Sequence, residues 1–316
     1  MFTTLSTGLT SAAEILKAYQ LYLFAIPHKK MSYFLTYQTV LNVTEKSNRL
    51  HIVDFGILYG FQWPSLIQSL ASRPGGPPML RITGIDFPQP GFRAAERIEE
   101  TGRRLADYAK SFGVPFEYHA IATKWENLDV EELSLRSDEV LVVNCMYRFN
   151  NLLDETVVLE SPRNVVLNKI RRMNPRIFIH GVVNGAYNAP FFITRFREAL
   201  FHYSALFDAI ETIVPREHPH RLLLEKELFG RVILNVVACE GLERVVRPET
   251  YKQWQVRIQR AGFVQLPLDR AIFSQTRDNF KSFFHKDFRV DEDGKWILYG
   301  WKGKISHAVA TWRPST

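Results

Sequence analysis

The sequence predicts an α/β fold: a Rossmann-like, methyltransferase-type doubly wound sheet that ends in an antiparallel hairpin and carries an N-terminal helical cap. Three observations predict it. From residue 50 onward, short β-branched runs alternate with longer amphipathic stretches, the pattern of parallel strands joined by helices. The run Leu50-His51-Ile52-Val53 closes on Asp54. A loop carrying Gly56 and Gly60 then leads into a helix with Pro64 in its first turn, where a missing N–H costs nothing. After Phe288 the pattern changes to short strands joined by Asp-Gly and Lys-Gly-Lys turns, the signature of antiparallel pairing. Crossovers between parallel strands are right-handed, which leaves few topologies.

Each element follows from local chemistry. A helix is expected over 11–22, with Ser11 as N-cap and Glu14 at the capping-box position; Pro27 ends it, and a second helix covers 31–43. The first strand and its helix are followed by the turn segment 72–78 and a strand over 80–85 that ends in Asp86. Further helices are expected over 92–112, 156–173, 189–213, 248–261 and 268–284. Strands are expected over 115–122, 139–145, 176–183 and 232–239, then 288–290, 296–301 and 305–312. The expected division is a helical cap over 1–46 and an α/β core over 47–316.

At 316 residues, 46% apolar and 23% charged, the chain has the composition of a globular protein with one large core. It lacks the ~18-residue apolar run that a membrane span requires, and its N-terminus does not read as a secretory signal. Cys145 and Cys239 both lie in apolar, strand-like runs, so buried free thiols in a reducing compartment are expected. Neither has a partner at zinc spacing, and no metal or cofactor is expected. A net charge of +7 permits nucleic-acid contact without demanding it, because the positive residues are dispersed.

Family-level motifs appear further along. Pro190-Phe191-Phe192 followed by Arg195-Phe196-Arg197-Glu198 resembles the PFYRE motif of the plant GRAS transcriptional regulators, with phenylalanine in place of the motif's tyrosine. Leu50 to Asp54 resembles their VHIID motif, with leucine and valine as departures. Arg244 to Arg247 (RVVR) resembles an RVER-like element in which Val246 replaces the acid. Trp254 with Gly262, then Trp301 and Trp312, resembles the closing SAW motif. The wording around residues 58–78 and 81–108 is similar to the scarecrow-like branch, with only the last part of the family's leucine-rich helical region before the VHIID element. The resemblance implies a transcription regulator in the nucleus, acting on DNA, on partner transcription factors or GRAS proteins, with homodimerisation possible.

Candidate sites carry a functional and a plain reading. Asp54, Gly56, Gly60 and Asp86 are placed at the carboxyl edge of adjacent strands, where a methyltransferase holds its cofactor. Leu58 stands in the middle of that loop and would fill the space a ligand needs, so turn-making glycines and helix-capping acids are the favoured reading. Asn144 completes no methyltransferase signature, and no serine lies in a nucleophile elbow. His218 and His220 flank a proline and read as a surface loop. Among the small basic groups, Arg195, Lys302 and Lys304 are the expected DNA contacts, since they flank the motifs near one end of the sheet, and Arg148, just past the fourth strand, is expected to join them at the cleft mouth. Phe191, Phe192, Phe196, Phe201 and Phe207 are expected in the core, and Trp301 and Trp312 are expected to pack the hairpin onto helices. The function expected is a non-enzymatic transcription regulator that binds DNA through a basic groove, partner factors, or both. The alternatives are a co-regulator scaffold without DNA contact and a small-molecule methyltransferase.

Overall fold

Residues 12–315 are described by a computed structural model. Strands β1 (Arg49–Phe55), β2 (Met79–Asp86), β3 (Phe116–Ala122), β4 (Val140–Met146) and β5 (Ile177–Val183) are parallel, in spatial order β3-β2-β1-β4-β5. The chain moves outward from β1 in both directions, so the switch point of the sheet lies between β1 and β4. Four more strands follow: β6 (Phe263–Gln265), β7 (Phe288–Asp293), β8 (Trp296–Trp301) and β9 (Lys304–Pro314). Antiparallel pairing adds β9 to β5, β8 to β9 and β7 to β8. The sequence pattern did not disclose β6, which pairs with the far end of β9, Gln265 opposite Trp312.

The helices are α1 (Ala12–Ala25), α2 (Pro27–Thr44), α3 (Trp63–Ala71), α4 (Glu96–Ser111), α5 (Pro162–Met173), α6 (Phe192–Ile213), α7 (Arg221–Leu223), α8 (Arg231–Ala238), α9 (Tyr251–Arg260) and α10 (Arg270–Phe283). A π-helical stretch, Leu224–Gly230, joins α7 to α8. Alternation along β1 feeds two cores. Leu50 and Ile52 join Leu66, Ile82, Leu105 and Phe280 on one face; Val53 and Phe55 join Trp125, Phe149, Val166 and Ile258 on the other. Burial on both faces is why apolar residues of β1 point to either side of the sheet and even His51 and Asp54 are buried. Met31 and Leu35 place α2 in the first of these cores, whereas α1 packs with α6 and the π-helical stretch in a separate lobe. The expected N-cap, Ser11, lies outside the described residues.

Three expectations are corrected. The run over 232–239 is not a strand but α8 and its C-cap. A short apolar run fits a buried strand or a helix equally well, and the sheet has no vacancy for it because β9 occupies the free edge of β5. Cys239 accordingly caps a helix and is half-buried, while Cys145 is buried in β4; both thiols are free. The phenylalanines of α6 are not core residues: Phe191, Phe192, Phe196 and Phe201 are exposed and Phe207 is half-buried. The face of α6 turned into the fold instead carries Arg195, Ala199, His202 and Tyr203.

Candidate functional site at the carboxyl edge of the sheet

Strands β1, β2 and β4 end side by side, and their terminal polar residues meet. Asp54 stands opposite Asn144 in the β1–β4 register. The Asn144 amide donates to Asp54 Oδ1 at 2.7 Å and Trp63 Nε1 donates to Asp54 Oδ2 at 2.9 Å. Desolvation nevertheless dominates: burial lifts the Asp54 pKa to about 7, against the two hydrogen bonds that favour its charge. Asp86, at the end of β2, is wholly buried. It accepts a hydrogen bond from Arg97 Nη2 at 2.9 Å and one from the Phe87 N–H at 2.9 Å, and Arg148 Nη2 lies 3.7 Å away.

The glycine loop lets side chains of the protein approach its backbone closely. Gly56 has φ of +87°, and a Cβ there would lie 2.6 Å from Arg148 Cγ. Arg148 thus lies across the loop toward Asp86. Gly60, with φ of +68°, lets Thr101 and Leu105 of α4 come close. The expected role of Leu58 belongs to its neighbour. Ile57 is the buried side chain, packed where a Cβ on Gly84 would lie 3.0 Å from it. Leu58 is half-buried and left-handed, with φ of +52°, and its carbonyl accepts from Thr101 Oγ1 at 2.8 Å. Both acids and both loop glycines are therefore engaged by side chains of the chain itself.

The fold removes one of the four expected basic contacts from the surface and leaves three at the carboxyl edge of the sheet. Arg195 is fully buried and is corrected from surface contact to structural pin. Its guanidinium donates to the carbonyls of Val236 (2.9 Å), Ala189 (3.1 Å) and Pro190 (3.2 Å), and pairs with Glu240. Lys302 and Lys304 flank the β8–β9 turn beyond the carboxyl end of β5, since His307 already pairs with Val183, the last residue of β5. Lys302 is ion-paired with Asp208 at 2.7 Å; the Lys304 ammonium sits 4.3 Å above the Phe201 ring. Arg148, Lys302 and Lys304 share the carboxyl edge. His218 and His220 lie in the turn between α6 and α7, their rings 5.7 Å apart.

The model of the GRAS domain family matches residues 1–313. The chain belongs to the GRAS domain family. It is 57% identical over 97% of its length to Scarecrow-like protein 9 of Arabidopsis thaliana, and 55% identical over 100% of its length to Scarecrow-like protein 14 of the same plant. It spans 42% and 41% of those two relatives. Scarecrow-like transcription factor PAT1, also from Arabidopsis thaliana, is 31% identical over 96% of the chain and 62% of its own length. Among solved structures, SCL7 of Oryza sativa superposes with a TM-score of 0.84 at 30% identity, covering 95% of this chain and 83% of that one.

Within this GRAS domain the motif residues are mostly architectural. Pro190 is exposed and offers its carbonyl to Arg195; Arg197 is exposed, and Glu198 half-buried, on α6. Arg244 and Arg247 of the RVVR element are buried, with Val246 between them. Arg247 donates to the carbonyls of Arg244 (2.8 Å) and Gly241 (2.7 Å) and lies 3.3 Å from Asp154 Oδ1. Arg163, also fully buried, pairs with Glu249 at 2.7 Å. Burial would raise the Asp154 pKa, but hydrogen bonds from Thr156 and Asn188, with Arg163 and Arg247 nearby, outweigh it and hold the group at about 2. Sequence reasoning missed this network. One signal was available: Arg163 falls on the same face of α5 as Val166, Leu167 and Ile170, and a charge on an apolar stripe marks a buried partner. Trp254 packs between Phe149 and His180, Trp312 against Trp296, and Gly262 takes φ of +82° beside Arg171. Trp301 donates from Nε1 to Asp208 on α6 at 2.6 Å, so the β-hairpin is pinned to a helix as expected.

Proposed function

We propose that this GRAS domain belongs to a transcription regulator acting in the plant nucleus, which binds DNA, partner transcription factors, or both. The observation that carries the non-enzymatic reading is the side chain of Arg148 lying over Gly56 with its guanidinium toward Asp86, where a methyltransferase-type cleft would open. The loop, Asp54 and Asp86 have internal partners, and a cofactor would have to displace them. The scarecrow-like relatives, one of them named a transcription factor, support the regulatory role.

Direct DNA contact would run through Arg148, Lys302 and Lys304 at the carboxyl edge. Replacing Lys302 and Lys304 by alanine is expected to weaken DNA binding and to flatten its salt dependence by about 0.9 per lost phosphate contact, with little change in melting temperature. Selection from a randomised duplex pool at physiological salt provides the substrate; a pool that stays random removes the DNA contact. A second reading, a co-regulator scaffold without DNA contact, is favoured by the engagement of three of the four expected contacts. Arg195 is buried, Lys302 is neutralised by Asp208 and Arg148 faces Asp86.

A further inference from the structure

Helix α6 carries apolar residues on its exposed side as well as on its buried one. Its inward face packs Ala199, Tyr203, Ala209 and Ile210 into the fold beside the buried, ion-paired Arg195 and His202. Its outward face holds Ile193, Phe196 and Leu200 at i, i+3 and i+7, with side chains 73%, 41% and 57% exposed. Phe201, on the flank of this stripe, is 60% exposed, and Phe192 stacks on Phe196 at 5.7 Å between ring centroids. Single exposed apolar residues need no explanation, but a contiguous stripe does. Spacing of i, i+3 and i+7 is the seam that a second helix packs against.

The surroundings specify the charge of that helix. Arg197 lies one turn before Phe201, and the Lys304 ammonium caps the Phe201 ring at 4.3 Å. Among the described residues neither cation has a carboxylate partner, whereas Lys302 in the same turn is already paired with Asp208. We infer that the α6 stripe is a docking surface for an amphipathic helix of a partner protein, with leucine-type residues on Ile193, Phe196 and Leu200 and carboxylates beside Arg197 and Lys304. A second copy of this chain is the poorer occupant, because two α6 stripes packed together bring the same cations face to face. A duplex offers phosphates but nothing to cover the apolar seam. The inference holds whether or not the domain touches DNA.

The test uses the full chain and a fluorescently labelled synthetic helix of about five turns, with leucines at i, i+3 and i+7 and glutamates along one flank. An isomer with lysines in place of the glutamates and vesicles of phosphatidylcholine with phosphatidylserine serve as competing probes. Expected is saturable binding of the acidic helix, weakened at least about tenfold by Leu200→Glu or by the lysine isomer. The pair Arg197→Ala and Lys304→Ala should weaken it less and remove most of its salt dependence. Leu200 is exposed, so Leu200→Glu should keep the melting temperature and any DNA affinity, which separates failure here from failure of the DNA reading. Equal binding of both isomers, or binding indifferent to Leu200→Glu, overturns the inference. Preference for the vesicles would reassign the stripe to a lipid surface. A concentration-dependent dimer dissolved by Leu200→Glu in sedimentation would reassign it to a second copy.

Discussion

Asp54 is a carboxyl group held in a place where its charge is expensive. Its folded pKa, about 7, lies above the ordinary value of 3.8, so the folded state binds a proton that the unfolded chain has released. The stability this confers is complete below about pH 4 and lost as pH rises through about 7. Asp54→Asn cannot ionise, and the asparagine oxygen can still accept from Trp63. The variant is expected to gain urea resistance relative to the parent between about pH 5 and pH 8; parallel curves would show that Asp54 does not titrate there. At Gly56 the expectation is the reverse. An alanine must adopt a left-handed φ and displace Arg148, so Gly56→Ala should cost about 1–3 kcal/mol in chemical denaturation. A variant as stable as the parent would mean that Arg148 does not lie across the loop.

The helices and strands differ in how far their local sequence decides them. Helix α9 begins with a capping box: Thr250 accepts from the Gln253 N–H, and the Gln253 side chain accepts from the Thr250 N–H. Thr250→Ala is expected to lower stability by about 1 kcal/mol, read as a shift in the denaturation midpoint; no shift would make the box dispensable beside the packing of Trp254. Strands β1 to β5 were legible because strand and helix periodicities alternate without conflict along residues 49–183. Helix α8 was misread because Val232, Ile233, Val236 and Val237 suit a strand; the edge of β5 taken by β9 and the packing of Val236 against α6 decide otherwise. The α6 phenylalanines misled for the opposite reason. Their spacing identifies a helix with an apolar stripe, and periodicity says nothing about whether the stripe faces inward.

Five histidines give the molecule its expected acid sensitivity. His51, His180 and His202 are buried, and desolvation holds their pKa values down at about 3. His28 of α2 stacks on His307 of β9 at 3.6 Å, and burial pushes both well below 6.5, with Lys29 adding to the effect. A base whose folded pKa is depressed contributes stability above its unfolded value, about 6.5, that is lost as pH falls toward the folded one. Asp54 acts in the other direction on the neutral side. The domain is therefore expected to be most stable near neutrality and to unfold steeply below about pH 5, in a transition followed by circular dichroism. A flat profile from about pH 7 to pH 4 would mean that these rings are not buried neutral.

The sequence by itself determined the fold class, the order of the parallel strands' segments, the terminal antiparallel strands and the family. These rest on periodicity, turn chemistry and motif wording, which are local properties. Only the tertiary structure decided the fate of individual charges and apolar stripes. Arg148 and Arg195 look alike in the chain, yet one lies across a glycine loop and the other is sealed beneath Val236 and Pro190. Within the RVVR element, Arg247 is buried against Asp154 and the carbonyls of Arg244 and Gly241, while Arg244 donates to the Asn188 side chain. Burial and pairing are set by elements distant in sequence that meet in space, so no local pattern could supply them. The buried Arg195 and the outward apolar seam of α6 come from that same level of organisation.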